Sequence, residues 1–518
     1  MDLDFEDSDL DRMIIKDKEY YRKKRNKILI IVSIILLIGI VAFITTFLLL
    51  KYRGGKIICV YITTEENENI KLINANESHI FSLTIDDKSY SQKNNHTFEK
   101  AGTHNIIFHF KDKLESLDHL FYYIDNLIEI DFSQLETENI KSFAYVLNVC
   151  RNLTKVNFDN KTPNLLDMEY MFSGSINIQI LNIKFNTSNV KSMFRMFQYV
   201  EKLTSLDISN FEFDNLINAE CMFEYCENLR IIKFNEKTRT FNLKIMDSMF
   251  NGCTSLEYIN TEIFKFNKLL NFYQVFRDCY SLKEIDISNF DLSNALTFDE
   301  LFNGCKNLES LNFSNIKINP SLQSVDGMFS DCFKLTSIDL SHFNFSSIKG
   351  TNYMFNNCVS LKHVKLPNKM VSLAHTNYMF NNCYSITSLN LGFLENAQKW
   401  SFAYEMFKNC KKLEKIEIPS VTTLILRGVQ EMFNGCTGLK VIDFGQLETK
   451  VIYNITKMFY HCEKLEYLDL SKFNTKGVKF LDGVLEGVPR YVDIRINKSI
   501  TSKEFLMEIE KLKNETIL

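Results

Sequence analysis

The sequence predicts an α/β repeat, a solenoid with a parallel β-sheet face, closed by small caps and preceded by one transmembrane helix. Three observations carry this. A Phe-x-x-Cys marker returns at intervals of 25 to 27 residues along most of the chain. One run of 23 residues, 28–50, contains no charge. Hydrophobic residues make up 45% of the 518, with 44 Phe but only 5 Pro and 17 Gly, which excludes a disordered, collagen-like or linker-rich chain. A chain this long exceeds what one ordinary core fills, so either several domains or a repeat array is required, and the period decides for the array.

The N-terminal segment 1–27 reads as a cytoplasmic tail with an acidic start (Asp2, Asp4, Glu6, Asp7, Asp9, Asp11) and a basic end (Lys16, Lys18, Arg22, Lys23, Lys24, Arg25, Lys27). Residues 28–50 give about 34 Å of helix, enough for a hydrocarbon core of about 30 Å. Only Lys51, Arg53 and Lys56 follow closely, so the basic bias places the N-terminus inside. A cleaved signal peptide is the main rival, but its apolar region is shorter and ends in a small-x-small site that Leu48 to Arg53 does not offer. Ten Asn-x-Ser/Thr sequons follow the helix and none precedes it: Asn76, Asn95, Asn152, Asn160, Asn186, Asn312, Asn344, Asn454, Asn497 and Asn514. As candidate N-glycosylation sites they favour the same orientation, although an Asn-rich chain also makes sequons by chance.

Residues 56–110 form a β-rich membrane-proximal cap, with strands expected at 57–63, 81–85 and 105–110. The solenoid is expected over 111–500. Segment 328–341 recurs at 354–367 and again at 432–445. The marker Phe falls at 172, 197, 223, 250, 276, 302, 329, 355, 380, 407, 433 and 459, with weaker copies at Phe121, Leu147 and Leu485, which makes about fifteen units. In each, a stretch such as Leu335 to Leu340 alternates apolar and polar residues as a half-buried strand does, and 352–358 spaces its apolar residues more like a short helical turn. One such unit cannot offset its own ordering entropy, so stability comes from stacking on neighbours. Segment 501–518 is expected to close the array with a C-terminal capping helix that sets Phe505, Ile509 and Leu512 on one side.

Two columns follow from the period. Ten of the thirteen Cys stand three residues after a marker Phe (226, 253, 279, 305, 332, 358, 383, 410, 436, 462), and Cys150 stands three after Leu147. Most of this ladder is expected to be free thiols filling the turn. Thirteen is odd, and Cys59 beside the membrane is the candidate for an intermolecular disulfide in a homo-oligomer. The second column is the outward strand position: Asp131, Asn157, Asn182, Asp207, Lys233, Asn260, Asp286, Asn312, Asp339, Lys365, Asn390, Glu417, Asp443, Asp469 and Arg495. It is the candidate ligand-facing surface, with Asp207, Asp286, Asp339, Glu417, Asp443 and Asp469 as its acidic members. Simple solvation is the competing account.

No P-loop, Gly-x-Ser-x-Gly, His-Glu-x-x-His or Cys-x-x-Cys occurs, so no catalytic residue, metal or cofactor is expected and the protein is read as no enzyme. His96, His104 and His109 cluster in the cap without a metal-ligand pattern. A net charge of −4 leaves no basic footprint for nucleic acid.

The pattern Leu-x-x-Ile-Asp-Leu-Ser-x-Phe, met at 282–290 and 335–343, followed by Met-Phe-x-x-Cys blocks between Met222 and Cys462, resembles the BspA-like leucine-rich-repeat surface proteins. The resemblance covers about residues 114–500. Ser188-Asn189-Val190 keeps a stretch typical of that family which most other units alter. It implies a leucine-rich-repeat-type solenoid and a role in adhesion or surface recognition. The expected protein is thus a single-pass type II plasma-membrane glycoprotein whose extracellular repeats bind a protein or glycan ligand. A lumenal type II membrane enzyme and an endocytic receptor are the alternatives.

Overall fold

The computed structural model describes residues 7–514 apart from 77, 78, 80, 160, 267, 424, 425 and 451, and side chains outside 7–21, 45–51 and 421–423. Helix α1 (Asp7–Lys51) contains one stretch, Arg22–Ile44, long and apolar enough to cross a membrane, and none of it is buried against protein. Lys16 and Lys18 of the basic flank, and 45–50 of the uncharged run, have side chains outside the described ones.

Three residues separate α1 from β1 (Gly55–Thr63), and β1 is already part of the main sheet. Strands β2 (Glu68–Lys71) and β5 (Asn95–Phe98) pair with each other, while β3 (Phe81–Ile85), β4 (Lys88–Tyr90) and β6 (Gly102–Phe110) join β1. The seven-stranded order is β4-β3-β6-β1-β7-β8-β9, with β7 (Leu127–Asp131), β8 (Lys155–Phe158) and β9 (Ile180–Ile183) being the first strands of the solenoid. β1 runs antiparallel to β6 on one side and to β7 on the other, and every later pairing of solenoid strands is parallel. The cap and the repeats therefore share one sheet. Gly55 permits the entry: its φ is +78°, and a Cβ there would lie 2.4 Å from the Gln134 carbonyl oxygen.

The repeat is a flattened coil with a strand on one side and a second ladder of parallel bridges on the other, linking Ser116, Ser142, Asp167, Ser192, Asn218 and Ile245, and then Thr297 through Phe480. Here the structure departs from the helical turn expected at 352–358. Amides alternate between two kinds of acceptor. Those of Met354, Asn356 and Cys358 close turns onto the carbonyls three residues back, whereas those of Tyr353, Phe355 and Asn357 reach the next coil at Asn377, Met379 and Asn381. The reason is handedness. Tyr353 and Asn357 have φ of 56° and 59°, which no right-handed helix accommodates. The same two positions, two before and two after the marker, have positive φ in all fifteen units, from His119 and Tyr123 to Gly483 and Gly487.

The marker rings form one continuous stack. From Phe172 to Phe459 successive centroids lie 5.4–6.0 Å apart with ring planes within 2–14° of parallel. Each coil alone leaves both faces of its ring uncovered, and neighbours bury them. At the far end α2 (Lys503–Asn514) buries Phe505 and Leu512, with Ile509 packed beside them, and the Ser502 hydroxyl accepts the Phe505 amide at its start.

Candidate recognition surface and the ladders behind it

The register places the outward column as one row. Asp131 lies opposite Asn157 and Asn157 opposite Asn182; Asp207 faces Lys233, Asp286 faces Asn312, Asp339 faces Lys365, Asn390 faces Glu417, and Asp443, Asp469 and Arg495 run in series. Most of these side chains already have protein partners. Lys233 pairs with Asp207 at 3.1 Å and Lys365 with Asp339 at 2.9 Å, while the Asn312 and Asn390 amides donate to Asp286 and Glu417, each at 3.1 Å. The other carboxylate or amide oxygen turns back on the chain. Asp207, Asp286 and Asp339 accept the amides of Ser209, Ser288 and Ser341 at 2.9–3.0 Å, an Asx turn that ends the strand. Hydrogen bonds from those serines, joined by Lys233, Asn312 and Lys365 respectively, hold the three carboxyls below their ordinary range. Asn260 belongs to no strand; it caps the short 3-10 helix Thr261–Ile263.

Asp469 departs from the outward expectation. It is only 9% exposed, because Tyr467, two residues earlier on the same face, donates its hydroxyl to it at 3.1 Å and is itself covered by the Arg495 guanidinium. Tyr467 belongs to a second outward row that period two demands and the sequence reading left out. That row includes Ile180, Ile231 and Tyr258, which are 53–61% exposed. The most exposed apolar part of the sheet face therefore lies towards the N-terminal half of the array.

The sequons follow from the same turn chemistry. Asn186, Asn312, Asn344, Asn454 and Asn497 each accept the amide of the Ser or Thr two residues on, at 2.9–3.1 Å. In five of ten cases, then, Asn-x-Ser/Thr is the sequence of an Asx turn. Asn454 is half-buried and bridges its neighbouring coils; Asn76, Asn95, Asn152, Asn186, Asn312, Asn344, Asn497 and Asn514 are exposed, and Asn160 lies outside the described residues.

All thirteen Cys are free and buried. Each of the eleven ladder thiols donates to the carbonyl of the marker Phe one unit back, at 3.0–3.3 Å, as Cys305 does to Phe276 and Cys332 to Phe302. Ser175 occupies the same site and bonds the Leu147 carbonyl at 2.6 Å, whereas Ile124, Val200 and Val488 fill it in other units without a donor, so the site selects for burial first and the thiol bond is an addition to it. Cys59 is not placed for an intermolecular disulfide. It is fully buried in β1, paired on both sides, because Ile57, Cys59 and Tyr61 alternate into the core. Burial raises the ladder thiols, those of Cys226 and Cys436 to about 12. Iodoacetamide at pH 8 is therefore expected to leave the native ladder unmodified and to label it fully in denaturant. Disulfide-linked neighbours in a non-reduced digest would overturn this.

On the opposite flank a third ladder was not anticipated. Asp299 accepts the Asp326 amide, Asp326 that of Asn352, Asn352 that of Asn377 and Asn377 that of Tyr404, at 2.7–3.1 Å, and Asp247 accepts that of Tyr273 at 3.2 Å. The signal is visible afterwards as Asp or Asn three residues before the marker. Burial raises the carboxyls of Asp247 and Asp326. A folded pKa above the unfolded one means ionisation opposes folding, so stability falls as pH rises from the unfolded value near 4 through the folded value. Asp247→Asn, which copies Asn352, should raise stability at pH 7 by about 0.5–1 kcal/mol and lose that advantage by pH 4. Paired thermal melts at the two pH values measure it.

In the cap, Thr63, His104 and Asp86 are linked in the order of a hydrolase triad, at 3.1 and 2.8 Å. Thr63 is 3% exposed and its hydroxyl also lies 3.3 and 3.4 Å from the carbonyls of Lys100 and Gly102. The chain ties β1 to β6 and the β3–β4 turn; Asp86 and His104 border a depression of about 350 Å³, but the Thr63 hydroxyl does not line it. His96 and His109 are engaged separately, with Lys93 at 2.6 Å and Thr84 at 3.3 Å, and among the described residues no group of three or more His, Cys, Asp or Glu is placed to hold a metal ion.

Comparison with known proteins bears on the repeats. A family model described as "Mycoplasma protein of unknown function, DUF285" matches residues 115–232, 230–319, 270–391 and 401–507. No curated protein matches the chain. Among solved structures, a leucine-rich repeat protein from Bacteroides ovatus is 15% identical, with 79% of this chain and 90% of that one covered and a TM-score of 0.38. A leucine rich cell surface protein from Faecalibacterium prausnitzii is 17% identical over 61% and 83% of the two chains, TM-score 0.33. The functional domain of InlJ from Listeria monocytogenes, described as including a cysteine ladder, is 13% identical over 64% and 66%, TM-score 0.20. With more than half its length matched by the family model, the chain belongs to the DUF285 family, and its phased coil of about 26 residues is a leucine-rich-repeat-type solenoid such as the BspA-like resemblance implied.

Proposed function

We propose that this protein is a membrane-anchored recognition or adhesion protein, with the tail inside the cell, α1 spanning the plasma membrane and the solenoid outside. The observation that carries this is the join between anchor and solenoid. Only residues 52–54 separate α1 from a strand of the main sheet. Three residues reach about 10 Å, so the first coils are held at the bilayer surface and the array extends away from it. The basic flank before the apolar run and the exposed sequons after it support the inward tail. The polar flanks and sheet face are the surfaces left for a protein or glycan ligand, since the core is filled and both ends are covered.

Antibody labelling of a C-terminal epitope on intact cells is expected to be positive, and enzymatic deglycosylation to lower the apparent mass. An epitope seen only after permeabilisation would favour an internal membrane and the lumenal reading. Binding of the displayed protein to a panel of matrix proteins and glycans is the direct test of recognition.

A further inference from the structure

The flank opposite the sheet carries a depression of about 520 Å³ lined by Phe402, Tyr404, Arg427, Tyr453 and Asn454. It arises from one column of the coil. Successive residues there are His375, Phe402, Gly428, Asn454 and Phe480, bridged in parallel. Between the rings of Phe402 and Phe480 the column drops to a glycine and an amide, which makes the gap. The Tyr404 ring lies over Gly428: a Cβ there would meet the far end of that ring at 2.1 Å, so a larger residue would have to displace it.

The walls are aromatic and the rim is cationic. Phe402 stacks on His375 on one side and meets Tyr404 at 5.4 Å on the other; Tyr453 packs edge-on against Phe480, with the Lys479 ammonium 5.3 Å from its ring centre. Arg427 is exposed, and among the described residues its guanidinium has no hydrogen-bond or ion-pair partner, whereas Lys408 of the neighbouring coil is paired with both Glu405 and Glu431. No carboxylate lines the depression.

The backbone of the floor is already used. The Arg427 and Gly428 amides go to the Ser401 carbonyl, those of Tyr453 and Asn454 to the Arg427 carbonyl, and Ala403 donates to the Gly428 carbonyl. The Asn454 side chain is taken by Gln430 and Thr456. An extended peptide, which binds through main-chain bonds, finds none here. What remains is flat π-faces, two phenols and a fork of donors for a carboxylate.

We infer that this depression binds an acidic saccharide, with the sugar ring against Tyr404 and Tyr453 and its carboxylate on Arg427. The inference rests on the recognition reading above and gives it a ligand class and a place. The volume is that of a small-ligand site.

The test uses the full chain in nanodiscs of neutral phosphatidylcholine, titrated with sialyllactose against lactose and with methyl glucuronide against methyl glucoside. The carboxylated member of each pair is expected to bind at least about tenfold more tightly, the range a charge-assisted pair supplies. Arg427→Gln should erase that preference, and Tyr404→Ala should weaken both members, with unchanged thermal melts showing that the array is intact. Equal binding within each pair, a preference that survives Arg427→Gln, or displacement of the sugar by a Glu-rich peptide would overturn the assignment. If the protein adheres to cells or matrix without any carboxylate preference, the site falls and the recognition reading stands; an internal C-terminal epitope removes the recognition reading whatever the sugars do.

Discussion

Phe302→Ala is expected to destabilise the array by about 3–5 kcal/mol, the cost of deleting a fully buried aromatic ring. Phe302 is 0% exposed and lies between Phe276 and Phe329, 5.6 and 5.9 Å away. Its loss opens a void shared by two interfaces, and in a stack held together only by neighbours that weakens the coupling between the halves of the solenoid. Urea unfolding should therefore show an earlier and broader transition, with a shallower slope than wild type. Phe480→Ala is the control: that ring is 47% exposed and lies outside the marker stack, so its removal should cost about 1 kcal/mol or less. Equal effects at the two positions would mean that the marker stack does not hold the coils together.

The contrast also marks what the sequence disclosed. Marker Phe, ladder Cys and outward column are legible because each is a fixed offset in a repeated unit, and repetition averages out local noise. The turn conformation is not. Apolar residues at Met354, Phe355 and Cys358 imitate a helical period, and Gly holds only seven of the thirty positive-φ positions that reverse the chain, no more than Tyr, so the usual glycine signal is diluted. The shared sheet is hidden for another reason. β1 meets β7 across some 70 residues of sequence, and nothing in either strand names its partner. Cys59 and Asp469 were misplaced by attending to position in the chain over neighbours: the alternation of Ile57, Cys59 and Tyr61 points the thiol inward, and Tyr467 covers the carboxylate. The aromatic depression at Gly428 depends on what a column lacks for two coils, which a search for conserved offsets passes over.

Replacing Asp286, Asp339, Asp443 and Asp469 together by alanine is expected to cost about 2–4 kcal/mol, at roughly 0.5–1 kcal/mol for each lost turn bond. Each carboxylate accepts the amide two residues on, from Ser288, Ser341, Gly445 and Ser471, at 2.8–3.0 Å. Asp443 and Asp469 face each other in the register, so their two costs need not add. The fourfold Asn variant keeps an acceptor at every turn, as Asn312 and Asn390 already do at the same position with Ser314 and Gly392. It should fall between wild type and the Ala variant at pH 7, keeping the turn bonds but losing the share that depends on ionisation, while removing four charges from the face. The two variants also separate in acid. The carboxyls of Asp286, Asp339 and Asp469 are held below their ordinary range, so their share of stability is present above the unfolded pKa near 4 and is lost as pH falls through the folded values. Wild type should therefore lose stability below pH 4 more steeply than the Asn variant. A ligand bound by this charged row is lost from both variants, whereas one bound elsewhere survives in the Asn variant and weakens in the Ala variant only as far as unfolding requires. Binding and melting measured on the same samples decide whether the column is a recognition surface or the scaffold of its own turns, and the saturated geometry of its carboxylates favours the scaffold.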